Sequence, residues 1–228
     1  MKTVYINAIA AAVLLAGCAG SPPAPDWQMN AQSAVERATN AYLSGNAAIE
    51  DVEFARARDE VARTGKVDLV LRVELIRCAT RVASLVVEPC AGVDTLRQDA
   101  GPADLAYADY LAGKPLTAAA VALLPPAQQG VAAFTSGDPA SLPTGDPLSR
   151  LVGAGVLLRS GRASPAVLDA AVETASSQGW RRPLLAWLGA QASRAEQAGD
   201  AAQAQRVRRR MALVANAPAP APGGAAQR

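Results

Sequence analysis

Three thiols and one run of carboxylates carry most of the reactive chemistry in this chain: Cys18, Cys78 and Cys90, and the acids Glu50, Asp51, Glu53, Asp59 and Glu60. There is no histidine. A Ser-His-Asp or Cys-His centre is therefore impossible, and the commonest general base and metal ligand is missing. Neither a Gly-x-x-x-x-Gly-Lys loop nor a Gly-x-Gly-x-x-Gly turn is present, so no nucleotide cradle is expected. Paired carboxylates could cut a glycosidic bond, but one of them would need an apolar cleft to keep its proton. Here Glu50, Asp51 and Glu53 cluster at the start of a helix that follows Gly45-Asn46, where they favour the positive helix end. Glu53 pairs only loosely with Arg56 or Arg58, and Asp59 and Glu60 follow on the same helix. Cys78 and Cys90 do not form a Cys-x-x-Cys pair, and a zinc site would lack its histidines. The expectation is no catalytic residue, no cofactor and no metal.

Two further groups could make contacts. Arg206, Arg208, Arg209 and Arg210 form the densest basic run. They suit the negative end of a last helix as a solvated face, or contact with anionic lipid headgroups or an acidic partner. Trp180 follows Gly179 in a turn and could anchor a partner surface, whereas Trp187 shares helical spacing with Leu184 and Leu188 and reads as core. The formal charge of +2 gives nucleic acid no electrostatic footing.

The elements that position these groups read as helices. Half the residues are apolar and only 4% aromatic. Alanine dominates the apolar set, which favours close-packed helices over sheets. Gly, Pro and capping residues divide the chain into predicted helices over 27–44, 47–64, 67–87, 93–98, 102–112, 116–124, 127–136, 148–160, 165–178, 183–198 and 201–215, with a loop over 139–147. The apolar stretch 67–87 is interrupted by Asp68, Arg72, Glu74, Arg77 and Arg81, which suits a buried soluble helix and not a membrane span. Short turns make antiparallel hairpins, so the fold class is all-α.

The start of the chain carries a resemblance. Lys2 and an apolar run from Ala8 to Ala16 lead into Leu15-Ala16-Gly17-Cys18. These residues resemble the lipobox of bacterial lipoproteins, and the run has the length of a secretory signal. The resemblance implies a signal peptide over 1–17, acylation of Cys18, and a Pro-rich tether over 18–26 that holds a domain spanning 27–216. Residues 217–228, with alternating Ala and Pro, read as a disordered tail. Ala19, which is not aspartate, implies outer-membrane sorting with the domain facing the periplasm. Once Cys18 carries lipid, an exported chain has two thiols left in an oxidising space, so Cys78 and Cys90 are expected to be bonded. That bond would fasten the apolar helix to the turn after Pro89.

A repeat also runs through the hairpins. Gly113 has Ala106 seven before it and Ala118 five after. Gly161 has Ala154 and Ala166 at those offsets, and Gly199 has Ala192 and Ala204. Gly45 and Gly137 keep only a small residue before them, Ala38 and Gly130. These positions resemble the small-residue sites of tetratricopeptide repeats. They imply a tetratricopeptide-like α-solenoid, with a compact helical array as the other arrangement. By resemblance, such lipoproteins serve as protein-protein scaffolds in envelope assemblies. The alternatives are an envelope-integrity protein that binds peptidoglycan or lipid and, last, a hydrolase using acids alone.

Overall fold

The computed structural model describes residues 23–133 and 137–217. The signal segment, Cys18, the start of the tether and the tail 218–228 lie outside the described residues. The helices are α1 (Asp26–Ser44), α2 (Ala47–Ala62), α3 (Val67–Ala83), α4 (Ala91–Asp94), α5 (Pro102–Leu111), α6 (Ala118–Ala122), α7 (Pro126–Ala133), α8 (Pro147–Arg159), α9 (Pro165–Ser177), α10 (Arg181–Gln197) and α11 (Ala201–Asn216). Short 3-10 turns lie at Arg97–Asp99 and Pro139–Ser141. No strand occurs among the described residues. The protein is an all-α array.

Local chemistry sets most of the starts. Side-chain oxygens of Asn46, Thr117, Asp146, Ser164 and Asp200 accept backbone N–H groups in the first turns of α2, α6, α8, α9 and α11. Each satisfies an orphan donor, worth about 1 kcal/mol at such a site. Gly45 closes the α1–α2 hairpin at φ 93°, a left-handed conformation in which any Cβ would be strained.

The sequence expectation fails most clearly at the end of α3. The helix stops at Ala83, not at 87, and Leu85 takes a left-handed φ of 58°. The amide of Val86 then bonds back to the Arg81 carbonyl at 3.0 Å. This left-handed helix ending turns the chain back, and Cys90 comes to lie beside Cys78, their Cα atoms 5.6 Å apart. The following helix also shifts: α4 begins at Ala91, and 97–99 is a 3-10 turn where a helix over 93–98 was expected.

Most buried side chains belong to one core. Leu71, Leu111, Leu151, Leu157, Val167, Trp187 and Leu188 have no exposed surface within it. Fully burying each aliphatic side chain contributes about 1.5–3 kcal/mol. α3 sits near its centre, packing on α1, α2, α5 and α8, while α10 packs on α1, α9 and α11. The α3–α8 crossing is tight because Gly155 lies there, where a Cβ would stand 2.3 Å from the Val82 carbonyl oxygen.

A smaller cluster serves the first hairpin. Ala31, Ala34 and Ala38 of α1 meet Phe54, Ala57 and Val61 of α2 and Val73 of α3. Contacts of α3 with α8 and of α1 with α10 join distant parts of the chain. The hairpins therefore pack against one another as one helical array. The positions at the repeat offsets differ in burial. Ala38, Ala106, Ala154 and Ala192, before their glycines, are buried, but after the turns only Ala204 is, and Ala118 and Ala166 are exposed.

Candidate functional site

The carboxylates on α2 are drawn into a lattice of guanidinium groups. Glu50, whose side chain is only 5% exposed, accepts from Arg81 Nη2 at 2.8 Å and lies 3.2 Å from Arg77 Nε. Arg77 also pairs with Asp51 at 3.1 Å. Glu53 does not pair with Arg56 or Arg58 along its own helix; it reaches Arg37 of α1 at 2.8 Å. Arg58 instead meets Glu74 of α3 at 2.9 Å, and Glu60 meets Arg63 at 3.1 Å. Asp59 stays exposed.

The same arginines use their flat faces. Arg77 lies 4.3 Å from the centre of the Phe54 ring, and the Tyr42 ring has Arg81 and Arg182 at 3.9 and 4.4 Å. Arg182 Nε also donates to the Tyr42 carbonyl at 2.8 Å, which brings α10 onto the end of α1. Guanidinium suits this double duty because it stacks on aromatic rings while its edge still donates hydrogen bonds.

Beside this lattice, Cys78 and Cys90 are joined by a disulfide. A cleft of about 230 Å³ opens between α3 and the segment that the bond holds, with Glu74, Arg77, Arg81 and Glu88 among its lining. Its charges are of both signs, and three of the four belong to the ion pairs already described or to their partners. Among the described residues, no group of three or more histidine, cysteine, aspartate or glutamate side chains converges to hold a metal ion.

The contact residues expected from the sequence gather on the α10–α11 hairpin. Trp180 is half-buried and packs on the main core, so its ring is less free than a turn position suggested. Arg181 donates to the Ala215 carbonyl, which sets Trp180 beside the C-terminal end of α11. Arg206, Arg208, Arg209 and Arg210 are all exposed. Arg208 pairs with Glu196 of α10 at 2.5 Å, and Arg206 Nε donates to Gln203 at 2.9 Å. Arg209 and Arg210 make no ion pair or hydrogen bond among the described residues.

Elsewhere the polar groups are structural in their geometry. Tyr110 donates to Gln128 Oε1 at 2.6 Å, and Gln128 in turn donates to the Ser149 carbonyl. Burial pushes the Tyr110 hydroxyl well above the ordinary tyrosine range and raises Tyr107 to about 12, with the Asp146 charge adding to the latter. At Asp109, burial alone would raise the carboxyl. Hydrogen bonds from Lys114 and Arg97 at 2.9 and 2.8 Å outweigh it and hold the group below its usual value.

Sequence reasoning missed Tyr42, Arg159 and Arg182, and it read Arg77 and Arg81 only as charges interrupting an apolar helix. Arg159 donates to the carbonyls of Leu111 and Val86, bonds to distant backbone that no local pattern announces. No protein-family model, curated protein or solved structure matches this chain.

Proposed function

We propose that this chain is a lipid-anchored lipoprotein of the bacterial envelope, held on the outer membrane and facing the periplasm, that binds other envelope proteins as a scaffold. The observation that carries the reading is Leu15-Ala16-Gly17-Cys18 behind a short apolar run. Two or three acyl chains give stable anchoring where one is marginal. An array of helical hairpins supports the scaffold half of the reading, since helix faces and the clefts between them are the usual means of gripping partner helices or strands. The placement of Glu50, Asp51, Glu53 and Glu60 against arginines supports a non-catalytic role for them. No helix among the described residues is long and apolar enough to cross a membrane, so attachment in this reading rests on Cys18.

Three measurements test it. Cys18→Ala should leave uncleaved precursor or release protein from the membrane fraction; unchanged processing and partitioning would sink the anchor. Affinity purification from detergent-solubilised membranes should bring down stoichiometric envelope proteins. A purified chain that cleaves peptidoglycan, and loses that ability through one carboxylate change, would replace the scaffold with an enzyme.

A further inference from the structure

We infer that α11 lies with its arginine face on the anionic headgroups of the bilayer, so that Arg206, Arg209 and Arg210 form a second attachment beside the acyl anchor. The inference deepens the anchored reading above and rests on it. Helical geometry of about 100° per residue puts these three arginines and Leu213 within an arc of roughly 100°, with Ala202 at the same face. All five residues are exposed, Leu213 by 75%. The opposite side is fixed inward: Ala204 and Val207 are buried, and Met211 and Val214 pack on the main core. The arc therefore cannot roll under the domain.

Charge and shape both select the occupant. No acidic residue occurs on α11. Arg208, the arginine that Glu196 neutralises, lies off the arc, whereas those on it have no acid to meet among the described residues. An outer helix docked on a single neighbour presents a ridge. Recognition of a partner helix needs a groove, which this ridge does not supply. A plane of phosphates suits it, because each guanidinium can donate to phosphate oxygens in parallel. Leu213, in line with the arginines, would then enter the apolar phase just beneath the headgroups. A tether at Cys18 keeps the face close to the surface, so modest affinity is enough.

The test uses the full chain, processed and acylated, with a fluorophore on Ala202→Cys. Vesicles are of phosphatidylcholine alone or with roughly 30% phosphatidylglycerol, each carrying a shallow lipid quencher. Each arginine should contribute about fivefold to local partition on the anionic surface. Quenching should be strong with phosphatidylglycerol, weak without it, and suppressed at about 0.5 M salt. The triple change R206Q/R209Q/R210Q should return it to the phosphatidylcholine level, and R206K/R209K/R210K should keep most of it. Equal quenching on both vesicles, or no loss in the glutamine variant, overturns the inference. So does absence of quenching on anionic vesicles, the result expected if the face meets an acidic protein. Flotation with phosphatidylcholine vesicles reads the anchor separately: a chain that does not float refutes acylation, while quenching on added anionic vesicles still decides the face.

Discussion

The two end hairpins spend their charge in opposite ways. α1–α2 joins α3 through Glu50 and Asp51, which meet Arg77 and Arg81, while Glu53 ties α2 to Arg37 of α1, with alanines filling the space beneath. α10–α11 is held by apolar contacts, Trp187 and Leu188 above all, and turns arginines outward with little to neutralise them. A charge buried among partners fixes an orientation; a charge left in solvent next to a firmly packed face remains free to meet something else. The difference also separates two residue sets that look alike as sequence. Both are short clusters of one sign on a helix.

The strongest way to break the comparison is to remove what holds the second hairpin. Trp187 is fully buried, and its Nε1 donates to the Ala83 carbonyl at 3.0 Å. Trp187→Ala should cost about 3–5 kcal/mol, read as a lowered midpoint in thermal or denaturant unfolding. A variant that melts like the parent would show that the burial of Trp187 in the main core is not what fixes this end.

Glu50→Ala asks the matching question of the first hairpin. It leaves Arg81, which is 23% exposed, and Arg77 without their shared carboxylate, a loss of roughly 3 kcal/mol for a buried pair. The same substitution at Glu196, whose pair with Arg208 is exposed on both sides, should change stability by less than about 0.5 kcal/mol. Equal effects in chemical denaturation would erase the distinction between the two hairpins. Glu50→Gln is expected to weaken the fold as well, so any loss of function in it must be judged against its unfolding midpoint.

Between the two hairpins stands the disulfide. Cys90→Ser should lower stability by about 3 kcal/mol through the freed loop while helical circular dichroism is retained. Free thiols found by alkylation of denatured, unreduced protein would remove this crosslink from the account.

The smallest effect concerns pH. Asp109 is depressed in the folded state, so its contribution is complete above the unfolded value, about 3.9, and is lost as pH falls through the lower folded value. Asp109→Asn should therefore be less stable than the parent at neutral pH, with the gap closing below about pH 4. A gap that persisted unchanged into acid would mean that Asp109 acts by packing and not by charge.

Helix boundaries were legible in the sequence because they are local. A capping oxygen, a proline in a first turn and a glycine in the left-handed region act within a few residues of themselves, and α2, α8, α9 and α11 begin within a residue of where those signals placed them. The pairing of Cys78 with Cys90 was legible once export was inferred, since only two thiols remained. The end of α3 was not, because a leucine gives no local sign of the left-handed turn that Leu85 makes.

What the sequence by itself determined, then, is an all-α chain, its punctuation and its crosslink. Tertiary structure alone decided which alanine faces meet, since alanines on many helices are interchangeable as packing surfaces and their pattern does not name a partner. It also decided the fate of each arginine. Arg159 and Arg182 reach carbonyls near the ends of other helices, Arg81 reaches Glu50, and Arg209 and Arg210 face outward. A guanidinium on a long flexible stem takes its role from whatever lies within reach, and distant parts of the chain come within reach only when it folds.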